Sequence, residues 1–165
     1  MAVVGWKSGL LLVAMSAGPM GRGVAGAQSS ASAGGCTLNR QVYTCNWGAF
    51  RKRLDAAHSI AVQTARLDRP VAAQVRELVQ SLGKQVAGDD DTADLTFLLI
   101  PWESTGISVG TADEPLATLR VYAPDPQSGR RELLWAETYY GPSDRPWQMT
   151  ARALIDQFRD RVKKG

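Results

Sequence analysis

A run of almost uninterrupted apolar residues, 95–100, constrains the fold of this chain more than any other feature. An extended segment that is apolar on both faces is typical of a central strand that is covered on both faces. The segment before it predicts a helix, because Asp68 is a good amino-terminal cap, Pro70 suits the first turn and Gly83 can end it. A β-prone segment at 58–65 precedes this helix. Strand, helix and strand in this order predict a parallel, right-handed crossover.

Two further strands are predicted over 116–123 and 132–140. Residues 124–130 separate them, and the proline, aspartate and glycine of this segment predict a hairpin turn. The long connection 103–115 is rich in glycine, serine and threonine, and we expect one short strand in it at 107–109.

Apolar residues at three- and four-residue spacing predict a helix over 47–57 and another from about 144–146 to 163. Together with the strands, these helices predict an α+β (mixed α/β) fold. We expect a two-layer sandwich in which two or three helices pack on a mixed sheet of four or five strands, in the order β-hairpin-α-β-α-β-β-β-α.

Cys36 and Cys45 are the two cysteines of the chain, with eight residues between them. In an exported protein an even number of cysteines favours a disulfide, and the β-prone residues between these two suit a hairpin. Pairing them would place Leu38 across from Tyr43, with the turn on residues 39–42. Closing this short loop stabilises the fold by about 2–3 kcal/mol in the chain-entropy model. A metal or redox pair is disfavoured, because such sites need closer spacing and further ligands.

The amino-terminal residues have the three parts of a secretory signal peptide in the right order. Lys7 supplies a positive charge, residues 9–17 are a short apolar run, and residues 25–27 (Ala-Gly-Ala) form a small-x-small cleavage pattern. We therefore predict a signal peptide over 1–27, cleaved before Gln28, and an exported protein that is periplasmic or extracellular. The apolar run has nine residues, whereas a membrane-spanning helix needs roughly 20, so no stable membrane span is expected.

The rest of the chain is predicted to be a flexible spacer over 28–35 and a single domain over 36–165. Removing Lys7 and Arg22 with the leader leaves seventeen basic residues and sixteen acidic ones. A net charge this small gives no support for binding to nucleic acid. Lipid attachment at Cys36 is a minor alternative to the disulfide, because the bulky apolar residue expected three positions earlier is absent.

The sequence contains no pattern for nucleophilic or phosphate-binding catalysis, and we predict no cofactor and no metal. His58, the one histidine, lies at a helix-to-strand junction, where a capping or surface role is usual. The acidic residues 89–91 and Asp94 lack the spacing of a calcium loop, and we expect a solvated turn whose last aspartate caps or precedes the strand. Carboxylates for acid–base chemistry could come from three glutamates, of a kind common on strand surfaces: Glu103, Glu132 and Glu137.

Four aromatic residues are predicted to form an interface: Trp102, Tyr139, Tyr140 and Trp147. The first ends the central strand, and the other three flank the turn at 141–142. Aromatic residues at such positions stack on sugars or pack against partner proteins. The alternative is that Trp147, like Trp135, is a core residue at the end of its element. Tyr140 and Trp102 are the two that we expect to be partly exposed.

Several segments resemble small uncharacterised exported proteins of Gram-negative bacteria: Cys36 with Cys45, residues 94–97, residues 133–135, and the closing pairs 146–147, 154–155 and 157–158. The order β-α-β-β-β-α over about residues 47–163 is also similar to the amino-terminal domain of TolB and to related envelope lipoprotein domains. The resemblance implies an envelope-associated interaction domain with no catalytic residues to carry over. This chain departs from that group in lacking a convincing lipid-attachment cysteine and any further domain.

These observations predict an exported protein that is not an enzyme and that acts by binding another envelope protein. The prediction depends on the lack of a catalytic pattern, together with edge strands, a long loop and aromatic residues beside it. The alternative is a domain that binds a small ligand or a cell-wall polysaccharide through the same aromatic residues.

Overall fold

The structure is a computed structural model that describes residues 35–39, 42–64, 68–88, 92–102, 114–125, 129–142 and 144–165. The predicted leader, the spacer up to residue 34 and the short strand predicted at 107–109 lie outside this part of the chain. No helix within it is long and apolar enough to cross a membrane. In chain order its elements are β1 (Cys36–Asn39), β2 (Val42–Cys45), α1 (Trp47–Ala56), β3 (Ser59–Thr64), α2 (Arg69–Ser81), β4 (Gln85–Val86), β5 (Leu95–Pro101), β6 (Glu114–Pro124), β7 (Arg131–Gly141) and α3 (Trp147–Lys164).

Five strands form one mixed sheet in the order β4-β3-β5-β6-β7, and β1 and β2 form a separate hairpin. Strand β3 is parallel to both β4 and β5, whereas β5, β6 and β7 are antiparallel neighbours. Helix α2 leads first to the two-residue strand β4, and β5 then lies on the other side of β3. The predicted α+β fold with a mixed sheet is confirmed.

Helix α2 forms for the local reasons that predicted it. The Asp68 carboxylate caps the helix by accepting a hydrogen bond of 3.2 Å from the amide of Val71. Pro70 lies in the first turn, where its missing amide hydrogen has no cost. Gly83 follows the helix with a φ of 71°, a left-handed conformation that glycine adopts readily.

The apolar sides of the three helices close over one face of the sheet and form a single core with it. Alternate residues of the central strands point into this core, as the two-residue period of a strand requires. The largest side chains that are fully buried in it include Phe50, Leu54, Val75, Leu78, Phe97, Leu99, Leu119, Leu154 and Phe158.

The remaining residues of these strands point to the opposite side of the sheet, here called the outer face. The buried residues of all three helices belong to the core on the first side. The outer-face residues of β5, β6 and β7 include Thr96, Leu98, Ile100, Thr118, Arg120, Tyr122, Leu133, Ala136, Thr138 and Tyr140.

The hairpin of β1 and β2 has the predicted register, with Leu38 opposite Tyr43, and a disulfide joins Cys36 to Cys45. A sulfur atom in a disulfide cannot also carry a lipid, so this bond and lipid attachment at Cys36 exclude each other. The hairpin packs beside β7. It also reaches the outer face of the sheet, because the Tyr43 ring centroid lies 5.4 Å from the guanidinium carbon of Arg120 on β6.

Candidate functional site

The pairing of the strands places three of the predicted interface residues at the same end of the sheet. Ala117 of β6 stands opposite Pro101 on one side and opposite Tyr139 on the other. The amide of Trp102 donates a hydrogen bond of 2.9 Å to the carbonyl of Leu116. Trp102 therefore follows the end of β5 at a position close to Tyr139 and Tyr140, near the end of β7.

These aromatic residues do not share one exposed surface, because adjacent residues of a strand point to opposite faces. Tyr139 points toward the helices and packs against the core, as Trp147 does at the start of α3. The Tyr139 hydroxyl accepts a hydrogen bond from Arg145, whose guanidinium carbon lies 5.4 Å from the ring centroid. Tyr140 is 48% exposed and Trp102 is half-buried. Tyr140 is thus the most accessible of the four.

A groove of about 500 Å³ runs along the carboxyl-terminal half of β7, between the hairpin and α3. We call it the β7 groove. Its hairpin wall contains Tyr43 and Thr44, its helix wall contains Gln157 and Arg161, and Tyr140 lies at its end. Strand β7 is the last strand of the sheet, so the floor of the groove is a sheet edge.

The backbone of Thr138 points into this groove rather than toward β6. The Thr138 carbonyl accepts a hydrogen bond of 3.4 Å from the side-chain amide of Gln157. The hydroxyl oxygens of Thr138 and Thr118, which stand opposite each other, are 3.4 Å apart. Such close approach is typical of a pair that exchanges no backbone hydrogen bonds. Pro115, which has no amide hydrogen, stands opposite Tyr140 in the same way.

Alternate residues of an antiparallel strand direct their amide and carbonyl groups to the same side. The backbone groups of Ala136, Thr138 and Tyr140 therefore all face the open edge. The Thr138 carbonyl is already paired with the Gln157 side chain, whereas the Thr138 amide and the backbone groups of Ala136 and Tyr140 offer a template on which another strand can pair. The opposite edge of the sheet is the two-residue strand β4, which is too short to offer a comparable template.

Glu137 anchors the helix wall of the groove. Its side chain is only 3% exposed and accepts four hydrogen bonds from three residues. The Arg161 guanidinium lies 2.9 Å from each carboxylate oxygen, through Nε to Oε2 and Nη2 to Oε1. Trp135 Nε1 donates over 3.1 Å and Gln157 Nε2 over 2.6 Å. Glu137 is therefore not the strand-surface glutamate that the sequence indicated, because α3 covers it and supplies its partners.

Arg161 stands over this carboxylate with half of its side chain, 48%, exposed to solvent. Its guanidinium carbon lies 5.6 Å from the centroid of the Trp135 ring. The pair with Glu137 and the contact with the ring hold the arginine in one orientation at the groove wall.

The sequence did not single out the groove itself, because its walls come from three separate parts of the chain. Two weak signals were present. Trp135 and Glu137 are two apart in a strand and so share a face, and Gln157 and Arg161 are four apart in a helix and so share a side. Nothing in the sequence paired the first two residues with the second two.

Asp94 and His58 meet at the opposite end of the sheet, where β3 and β5 begin. The Asp94 carboxylate accepts hydrogen bonds from the amides of His58 (2.8 Å) and Ser59 (2.9 Å) and from the Ser59 hydroxyl (3.1 Å). His58 itself is exposed at the junction of α1 and β3. These bonds, from the backbone of Ser59 first and then from that of His58, lower the pKa of Asp94.

Replacing Asp94 with asparagine is expected to lower stability at neutral pH by less than about 1 kcal/mol, because the carboxylate is exposed and screened by solvent. A carboxylate with a lowered pKa stabilises the fold above its ordinary value, and this contribution disappears as the pH falls through the lowered value. The difference between the wild type and Asp94→Asn should therefore shrink below about pH 4. Urea unfolding at several pH values measures it.

The other acidic candidates form no site among the described residues. Residues 89–91 and Glu103 lie outside that part of the chain, and Glu132 stands half-buried opposite Ala123. Within the described ranges no group of three or more histidine, cysteine, aspartate or glutamate side chains could hold a metal ion.

No protein-family model matches the chain, and no curated protein is significantly similar to it. Among solved structures, a DUF4136 family protein from Bacteroides thetaiotaomicron has a TM-score of 0.45 and 11% identity, over 76% of this chain and 93% of that one. A lipoprotein from Neisseria meningitidis has a TM-score of 0.36 and 11% identity, over 66% and 99%. A minor lipoprotein from Acinetobacter baumannii has a TM-score of 0.34 and 11% identity, over 64% and 92%.

Two of these three structures are lipoproteins. A likeness at this level assigns no function. The finer resemblance to the amino-terminal domain of TolB stays a prediction.

Proposed function

We propose that this chain is an exported, non-enzymatic protein-binding domain that takes an extended segment of an envelope partner as an additional strand on β7. The observation that carries the proposal is the open edge in the β7 groove, where the backbone groups of residues 136, 138 and 140 face away from β6. The leader pattern of residues 1–27 supports export.

Strand addition suits this edge for physical reasons. An added strand gains backbone hydrogen bonds along the edge, and its alternate side chains contact the two walls of the groove. From residue 135 to 139 the pairing of β7 with β6 is regular, with register shifts only before and after this stretch. Within this stretch the pairing has no bulge and β7 has no proline, two of the features that protect sheet edges from unwanted pairing. Tyr140 adds an exposed aromatic side chain at the end of the groove, a residue type enriched at binding hot spots.

Replacing Thr138 with proline should reduce partner binding at least tenfold while the protein stays folded. The substitution removes an amide hydrogen that faces the open edge rather than β6, and edge positions of this kind tolerate proline. In cells, a photoreactive amino acid at position 140 should crosslink to a partner peptide, and Thr138→Pro should abolish the crosslink. Mass spectrometry of the crosslinked peptide identifies the segment that lies in the groove.

Two matched controls make this test specific. Thr138→Val keeps the amide hydrogen and the β-branched shape, and it should keep the crosslink. A photoreactive residue at Met149, which is 55% exposed on α3, should not yield the same product. A crosslink that persists in Thr138→Pro, or that forms equally from position 149, would contradict strand addition at β7.

A further inference from the structure

Arg120 lies on the outer face of the sheet. Among the described residues no carboxylate forms an ion pair with it. It is half-buried, and its buried Nε has no hydrogen-bond acceptor. Among the described residues, the guanidinium interacts with the ring of Tyr43, whose centroid lies 5.4 Å from the guanidinium carbon. The outer-face positions of β5, β6 and β7 carry no acidic side chain. An arginine of this kind can form strong, paired hydrogen bonds with a carboxylate.

The position of Arg120 ties it to the β7 groove. The residue opposite Arg120 on β7 is Ala136, which lies in the floor of the β7 groove. Tyr43 belongs to the hairpin wall of this groove. Arg120 starts one strand inside the edge, and its guanidinium lies 5.4 Å from the centroid of the Tyr43 ring in the hairpin wall, so its side chain is directed toward the β7 groove.

A strand added to β7 would bring one of its residues opposite Ala136, with the side chain on the outer face. The Cα atom of that residue would lie two strand spacings, about 10 Å, from the Cα atom of Arg120. An arginine and a glutamate or aspartate that extend toward each other span such a distance. A carboxylate at this position would meet the guanidinium beside the ring of Tyr43.

We infer that the segment bound by the β7 groove carries an acidic side chain opposite Ala136, and that Arg120 selects it. This inference rests on the proposed strand addition and names the chemistry of the partner: an extended peptide with a glutamate or aspartate at one fixed position. Tyr43 holds the guanidinium in place, so the arginine is ordered before the peptide arrives.

Selection of random linear nonapeptides displayed on phage against the purified full-length protein tests this inference. The selected peptides should share one acidic position and should slow amide hydrogen exchange at residues 136, 138 and 140. In binding measurements by fluorescence anisotropy, changing the acidic residue to its amide should weaken binding to the wild type about tenfold. The same change should have less than a twofold effect on Arg120→Met, which keeps an apolar contact with Tyr43. Arg152→Met, an exposed arginine on α3, is the control and should behave as the wild type.

The outcomes separate this inference from the proposed function. Peptides that protect the three edge amides but bind the wild type and Arg120→Met with the same acid preference would overturn the role of Arg120 and leave strand addition intact. If no selected peptide protects the edge amides, both proposals fail. Thermal unfolding of Arg120→Met, expected close to that of the wild type, shows that a weaker interaction is not a loss of fold.

Discussion

Replacing Phe158 with alanine is expected to lower the free energy of unfolding by about 3–5 kcal/mol, the range measured for large aromatic residues in well-packed cores. Phe158 of α3 is fully buried and joins two other elements of the core. Its ring centroid lies 5.7 Å from that of Phe97 on β5 and 6.1 Å from that of Phe50 on α1. Removing the ring leaves a cavity where a helix, a strand and a second helix meet. Rigid aromatic neighbours cannot readily fill it.

Urea unfolding measures this loss as a lower midpoint with an unchanged dependence on urea concentration. A domain of this size has a total stability of about 5–15 kcal/mol, so the variant should be marginally folded. Met149→Ala is the matched control, because it truncates a large residue of the same helix that is 55% exposed. Its effect should stay within about 0.5 kcal/mol. Equal effects of the two substitutions would contradict the assignment of Phe158 to the core.

Elements that are specified by neighbouring residues could be predicted from the sequence. Helix α2 is the clearest case, since its cap at Asp68, its proline and its terminal Gly83 are all local signals. The hairpin between β6 and β7 followed from its turn residues in the same way. The parallel direction of β3 and β5 followed from the strand-helix-strand order, but the full order of the strands could not be predicted, because no local signal places β4 on the other side of β3. Such pairing depends on the packing of the whole domain.

The candidate site shows the same limit more strongly. That Tyr139 and Tyr140 point to opposite faces was available from the two-residue period of a strand. The burial of Glu137 could not be predicted in this way, because its partners Gln157 and Arg161 lie on α3, 20 and 24 residues later in the chain. The open half of β7 depends on where the hairpin stops and where α3 passes. No local pattern encodes that geometry.

Replacing Arg161 with methionine is expected to lower the free energy of unfolding by about 2–3 kcal/mol. The substitution leaves the carboxylate of Glu137, which is 3% exposed, with hydrogen bonds only from Trp135 and Gln157. Breaking a buried ion pair by removing one partner typically costs about 3–5 kcal/mol, because the remaining charge is uncompensated. The expected value is lower here, since Arg161 is half exposed and water can reach the carboxylate once the guanidinium is gone.

A double-mutant cycle with Glu137→Gln separates the ion pair from other contacts of Arg161. The amide keeps the shape of the glutamate without its charge, so Arg161→Met should cost less than about 1 kcal/mol in that background. Arg159→Met is the matched control, because it removes an arginine of the same helix that pairs with Asp156 at the surface. Surface pairs contribute about 0–1 kcal/mol. If Arg161→Met costs the same with and without the charge of Glu137, the buried pair does not anchor α3 to β7. The helix wall of the β7 groove must then be held by the apolar contacts of α3.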